Sequence, residues 1–381
     1  MAINNPTVTP ALRRIHARAV CDGRPLPGLC GFSWTESTHY TPATFSAIFA
    51  TNADKATSAK WWDARDNGMT IDFWAGVELP GAALVWTRIG TGCVDTHSFS
   101  AAMTRVEAQG RDLAALMIDQ RTAETFQNRS ASEVVAEVAG RHALSADVTP
   151  TTAPIGRYWG DHTRQTRAQS ASETTEWDLL VRIAEMEGFD LYMQGRTLHF
   201  HPAIDPNSPP WVARFRPADS VQVTPEGNIH DLRMIRRFAL AKPVTVVVRS
   251  FDSRSGQTVS AFASFGAAAR DTSIGGEHGT VRLRQTRYTY VRANLTQDQC
   301  QTMANRLLNN IVKHERSIAF SAPGEMRLDP RVMVRLDGTG TDFDQVYYID
   351  SITKNVSFDT GFSMDVMAKN HSPSSDDAAS E

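Results

Sequence analysis

The chain has 381 residues, 41% of them hydrophobic and 21% charged, and 39 basic against 42 acidic side chains give a net charge of −3. That length accommodates two or three domains with separate cores, and the charge balance excludes a global attraction to nucleic acid or to an anionic membrane. No run approaches the roughly 18 consecutive apolar residues of a membrane span, and the opening residues MAINNPTVTPALRRIHARAV lack a signal-peptide apolar core, so synthesis in the cytoplasm and no membrane partner are expected.

Residues 1 to about 115 are short apolar runs broken by Gly, Pro, Asn and Asp: Ile15 to Cys21, Leu29 to Trp34, Phe45 to Ala50, Met69 to Val77, Leu84 to Cys93 and Phe99 to Val106. Such spacing predicts an all-β sandwich or barrel. Cys21, Cys30, Cys93 and Cys300 show no C-x-x-C spacing, which excludes a zinc knuckle and predicts buried free thiols.

The middle of the chain changes period. Ser130-Ala131-Ser132-Glu133 has the spacing of a capping box, and Val134, Val135 and Val138 continue it as a helix to about His142. After a loop at Thr149 to Thr166 with Pro150, Pro154, Gly156 and Gly160, Ser170 and Glu173 repeat the cap. Trp177, Leu180, Val181 and Ala184 follow at i, i+3, i+4 and i+7, one face of a helix that ends near Gly188. The period then falls to two: Phe189, Leu191 and Met193 alternate outward, Gln194-Gly195-Arg196 turns the chain, and Leu198 with Phe200 alternates back. A helix laid on a hairpin is predicted, with Trp177, Leu180, Val181, Ala184, Phe189, Leu191, Leu198 and Phe200 as its structural anchors.

The region from about 240 to 370 is β-rich with one helix. Pro243 precedes the β-branched run Val244 to Val248, and VSAFASF reads as the returning strand. Thr296 and Gln299 form a capping box ahead of the stripe Cys300, Met303, Ala304, Leu307, Leu308 and Ile311. Val332, Val334 and Leu336, then Gln345 to Ile352, then Phe362, Met364, Val366 and Ala368 alternate as strands, and the acidic tail SPSSDDAASE is expected to be flexible.

Chemistry-bearing residues are scattered. His199 and His201 share a strand face and could offer two imidazoles to a metal, with His39, His97, His142 and His162 elsewhere, but no third ligand is legible, so no metal site is assigned. Glu173, Glu176, Asp178, Glu185 and Glu187 could supply paired carboxylates for glycan cleavage. At a helix start, however, Glu173 and Glu176 are expected to act through capping and the helix dipole, and the others through solvation. No G-x-S-x-G elbow is present, and Gly338-Thr339-Gly340-Thr341 reads as a hairpin turn because no helix follows it. Arg233, Arg236 and Arg237, and Arg282, Arg284 and Arg287, are local basic clusters suited to strand-edge or subunit ion pairs. No catalytic residue and no cofactor are assigned.

The order of these pieces resembles the phage late control D family, the baseplate hubs of contractile tails, which are similar to the hub portion of VgrG-type spike proteins. The resemblance rests on Gly110-Arg111-Asp112-Leu113, SASEVVAEVAGRHAL, ETTEWDLLVRIAEMEGFDLYMQGRTLHF and the helix at 296 to 312 with its trailing strands, about two thirds of the chain. The sequence departs from the family at Ala143-Leu144, where Gly-Leu is usual, and at Asp329-Pro330-Arg331, where Pro-Gly is usual. The implied fold is α+β, mainly β: a β-barrel at 1–115, an α/β insertion of helix plus hairpin at 116–205, a connection at 206–240 returning to the first barrel, a second related barrel at 241–370, and the tail at 371–381. The resemblance further implies a homotrimer whose six barrels form a pseudo-sixfold ring between the hexameric tail tube and the trimeric spike. Its other partners would be the tape-measure protein and further baseplate proteins, with DNA only in transit through the lumen. The implied location is the virion tail baseplate, assembled in the host cytoplasm. A genome-free contractile injection system and a tail-associated cell-wall hydrolase are the alternatives.

Overall fold

The computed structural model describes residues 14–370, apart from 52–57, 66–67, 79–82, 101, 123–125, 127–128, 153–173, 204–207, 219–223, 238–243, 253–256, 266–285, 293–294, 296, 313–315 and 327. The expected caps at Ser170 with Glu173 and at Thr296, most of the loop to Thr166 with Pro154, Gly156, Gly160 and His162, Arg282 with Arg284, and the acidic tail lie outside the described residues. The chain divides into two compact units. The first takes in 1–157, 169–233 and 319–368; the second takes in 158–168, 234–318 and 369–381.

The first unit is built on a 14-stranded sheet, many of whose strands the sequence pattern anticipates, though not Trp211–Arg216, His230–Arg236 or Arg316–Pro323. Arg14–Cys21, Leu29–Ser37, Thr44–Ala50 and Thr70–Glu78 fall on the predicted runs, with alternate residues buried. Two runs are redrawn. Val85–Phe99 is a single strand that turns into Arg105–Asp112, so the predicted run Phe99 to Val106 straddles a turn. The short helix Ala59–Asp63, capped by Ser58 and carrying the buried Trp62, has no periodicity to announce it. Phe32, Trp34, Phe45 and Phe73 form the aromatic centre of this face, with centroids 4.9 to 6.2 Å apart. Gly90 makes room for it: a Cβ there would meet the Trp34 ring at 2.2 Å.

The last third of the chain completes this sheet. Val346–Ser357 lies antiparallel to Leu29–Ser37, with Ser351 opposite Ser37 and Ser357 opposite Gly31, and Met333–Asp337 pairs both with it and, in parallel, with Trp211–Arg216. Gly338 and Gly340 take positive φ values in the turn after Met333–Asp337, where Asp344 accepts from the Thr339 and Gly340 amides, so this glycine pair is a turn as predicted. The strand order runs from Glu226–Gly227 to Arg24–Leu26 without returning to its start. Mainly β is therefore correct, but among the described residues no sheet closes into a barrel, which corrects the expectation of two closed barrels. A barrel requires edge strands to pair; here that order ends on strands of two and three residues, and a branch through Gly361–Asn370 and Arg316–Pro323 ends on His230–Arg236.

The second unit holds a three-stranded sheet in which Val244–Asp252 pairs antiparallel with Gln257–Phe265 and parallel with Thr286–Val291. The helix Gln297–Val312 lays Cys300, Ala304 and Leu308 on Val244, Val246, Val248, Ala261 and Ala263, the predicted stripe against the predicted β-branched run. Of the cysteines, Cys21 and Cys300 are buried, Cys93 is half-buried and Cys30 is exposed, which corrects the expectation for Cys30: at the start of its strand its side chain points outward.

Candidate functional site

The helix and hairpin module forms a core of its own within the first unit. Ala131–Arg141 is opened by the predicted capping box, with Ser130 Oγ accepting from the Glu133 amide and Glu133 Oε2 from the Ser130 amide. Its C-terminus is a Schellman motif: the Ala143 amide donates to Gly140 O and the Leu144 amide to Ala139 O. Ala143 sits at φ +54 there, a left-handed conformation that explains why glycine suits this position. Leu144 then leads into Ser145–Val148, which joins the hairpin as a parallel third strand.

The second helix is Glu176–Glu187. Its cap is Thr175, whose Oγ accepts from the Asp178 amide, and Gly188 closes it at φ +75. Ser170 and Glu173 lie outside the described residues, and Thr175 takes the cap in place of Ser170, so the helix begins five residues later than that capping box would have it. Phe189–Gln194 and Thr197–Pro202 form the hairpin around Gly195, with Leu191 opposite Phe200 and Met193 opposite Leu198. Trp177, Leu180, Ala184, Leu191, Leu198 and Phe200 are buried in one cluster with Val134, Val135 and Val138, and Val181 and Phe189 are partly buried against it. Ile183 is buried as well; its spacing of three from Leu180 is the signal that could have placed it on the stripe.

Trp177 reaches beyond the module. Its indole N–H donates to Tyr40 O at 2.7 Å, and the Tyr40 hydroxyl donates to Phe189 O at 2.8 Å, so the loop after Leu29–Ser37 is stitched to both helix and hairpin. The motif Gly110-Arg111-Asp112-Leu113 makes the other joint. A Cβ on Gly110 would meet Cys93 O at 1.9 Å, so the two strands approach closely there. Arg111 forks onto both Asp95 oxygens and both Asp119 oxygens, which raises its already high pKa. Asp112 accepts from the Ala43 and Ala114 amides at 2.8 and 2.9 Å, and burial pushes its carboxyl up to about 7 against those hydrogen bonds. Leu113 then enters the module core.

Among the described acidic candidates, Glu176, Asp178 and Glu185 differ in their surroundings. Asp178 and Glu185 are exposed; Glu176 lies in the first helical turn, as expected, but is only 4% exposed, a burial that the sequence reading did not include. Its carboxylate takes the His142 imidazole at 2.5 Å and the Arg141 guanidinium at 3.5 Å, and Arg141 also donates to Glu137. The helical stripe begins at position 176, and an acid can occupy it only because the preceding helix ends in two basic residues. Elsewhere, His39 meets Asp350, His97 packs edge-on to Phe99, Arg233 and Arg287 are exposed, and Arg237 donates to Ser317.

On the outer face of the hairpin sheet Asp147 joins His199 and His201, a third polar partner that sequence reading missed because it lies 52 residues before His199. Tyr192 stacks on His199 at 4.9 Å, and the Arg331 guanidinium lies 4.0 Å from the Tyr192 ring while pairing with Glu36 and Asp329. The Asp329-Pro330-Arg331 departure thus places a cation on the module's outer surface.

No protein-family model matches the sequence, and no curated protein is significantly similar to it. Solved structures do match. A tail protein from Neisseria meningitidis MC58 aligns with 93% of this chain and 96% of its own at 14% identity, with a TM-score of 0.64. The 43 kDa tail protein of prophage MuSo2 from Shewanella oneidensis covers 93% and 98% at 14% identity, with a TM-score of 0.61. The chain has the fold of these tail proteins. An Escherichia coli type VI secretion component, itself described as similar in structure to bacteriophage T4 tail proteins, aligns with 93% of the chain and 77% of its own at 12% identity and a TM-score of 0.50. The tail-protein fold includes both units described above, since the alignments run through nearly the whole chain.

Proposed function

We propose that the chain is a structural baseplate hub of a contractile phage tail, a homotrimer forming a pseudo-sixfold ring between the hexameric tail tube and the trimeric central spike. The observation that carries this reading is the end-to-end fold match to two tail proteins. Two β-rich units per chain support it: three chains would offer six β surfaces to the tube and three to the spike. The module at 116–205 would then be the insertion that braces one unit, with its anchors acting through folding. The scattered acids, with Glu176 buried and ion-paired, support a non-enzymatic role over a cell-wall hydrolase. Tape-measure protein and other baseplate proteins would be its remaining partners, DNA would pass only through the lumen, and assembly would take place in the host cytoplasm.

Electron microscopy of the full chain mixed with tube and spike proteins of the same tail tests this. The expected class average is a ring of three chains seated between tube and spike. A chain that joins neither partner, or that clears bacterial cell wall in a zymogram, overturns the proposal.

A further inference from the structure

The cluster on the outer face of the hairpin sheet is not used by the tail reading and stands independently of it. Asp147 on Ser145–Val148 lies in register with His199 on Thr197–Pro202, and His201 follows two residues later on the same face. Asp147 Oδ2 is 3.1 Å from His199 Nδ1 and 3.2 Å from His201 Nε2, and one donor atom from each residue lies within 4.8 Å of the others. A tetrahedral zinc ion with bonds of about 2.0–2.1 Å holds neighbouring donors about 3.3 Å apart. The two carboxylate–imidazole gaps therefore already stand near the spacing such an ion imposes, and the imidazole donors lie within 4.8 Å of each other. We propose that Asp147, His199 and His201 bind one divalent transition-metal ion of the zinc class.

Three features of the surroundings support a built site over a chance meeting of polar groups. The second nitrogen of His201, Nδ1, is 2.9 Å from Thr149 Oγ1, the kind of outer hydrogen bond that fixes a ligating imidazole's orientation. His199 is held in place by its stacking on Tyr192 at 4.9 Å. Arg331, the nearby cation, is offset by Asp329 at 3.3 Å and Glu36 at 3.5 Å, so it does not leave the face positively charged. Two imidazoles with one carboxylate select zinc, nickel or copper over magnesium or calcium. Asp147 is 58% exposed, so the remaining coordination would be completed from solvent. A bound ion would clamp the parallel edge strand Ser145–Val148 to the hairpin, and binding to the folded state alone must stabilise it.

The test is calorimetric titration of the chelator-stripped full chain with Zn²⁺, with Co²⁺ as a spectroscopic probe of imidazole ligation. One equivalent should bind, Zn²⁺ but not Mg²⁺ should raise Tm, and Asp147→Asn and His201→Gln should each weaken binding by about 100-fold or more. Thr149→Val, which removes only the orienting hydrogen bond, should weaken it by about 10–100-fold. Circular dichroism in chelator confirms that the variants fold; should either ligand variant not, the wild-type Co²⁺ spectrum and Thr149→Val still decide. Absence of saturable Zn²⁺ binding by the wild-type chain, or undiminished binding in the variants, overturns the site.

Discussion

The helix and hairpin module and the large sheet of the same unit are assembled from different kinds of contact. Within the module, helix Glu176–Glu187 packs on a hairpin that begins two residues after it ends, and its third strand arrives from Ser145–Val148. In the sheet, Leu29–Ser37 is completed by Val346–Ser357 from the other end of the chain. Local pairings close short loops at small entropic cost, whereas the sheet has to close loops of hundreds of residues before its contacts form. The lesson is that the module can hold its shape on local interactions, while the sheet depends on both chain ends being present. Trp177 and the Asp112 carboxyl are two of the places where one region is fastened to the other.

Breaking that fastening should have the largest effect. Trp177→Ala removes a buried indole from the module core and its hydrogen bond to Tyr40, and should cost about 3–5 kcal/mol in denaturant unfolding of the full chain. Tail assembly should fall with it; unchanged unfolding would show that module and sheet are not joined through this side chain.

A smaller effect separates the inside of the module from its surface. Glu176→Gln leaves Arg141 and His142 facing an amide in place of a buried carboxylate, and should cost about 1–3 kcal/mol in the same unfolding assay. Asp178→Asn, at an exposed position two residues on in the same turn, should cost a few tenths of that. Equal costs at the two positions would mean that the buried ion pair contributes nothing of its own.

The sequence made the module legible because its signals are short-range. The capping box at Ser130, the stripe through Trp177, Leu180 and Ala184, the αL glycine at 188 and the two-period hairpin each lie within one element or its neighbour. The burial of Glu176 was not legible because the partners that surround it, Arg141 and His142, come from a different helix. Many strands of the large sheet were legible one at a time, from alternation, but Trp211–Arg216, His230–Arg236 and Arg316–Pro323 were not, and neither was the strand order: nothing local in Gly31 to Ser37 specifies residues 351 to 357 as its partner. The same gap hid Asp147, which meets His199 and His201 only through a parallel pairing that alternation cannot reveal.

The smallest predicted effect sharpens the comparison from the other side, by strengthening a local signal. Ala143→Gly relieves the left-handed conformation at the end of helix Ala131–Arg141, a strain of about 1–2 kcal/mol, against about 0.4–1 kcal/mol for the added freedom of the unfolded chain. The net should be a gain of about 0.5–1 kcal/mol by the same denaturation. A loss would mean that the Ala143 methyl contributes packing that the backbone geometry does not show.

The central claim is the threefold ring, and its most direct measure is the mass of the full chain by light scattering at micromolar concentration, alone and with the spike protein. Obligate ring contacts bury large surfaces and can await a template, so assembly upon addition of the spike counts as the expected behaviour. The account predicts a mass of three times the 42.0 kDa of one chain, after allowance for the spike. A chain that stays monomeric with both spike and tube present would contradict it.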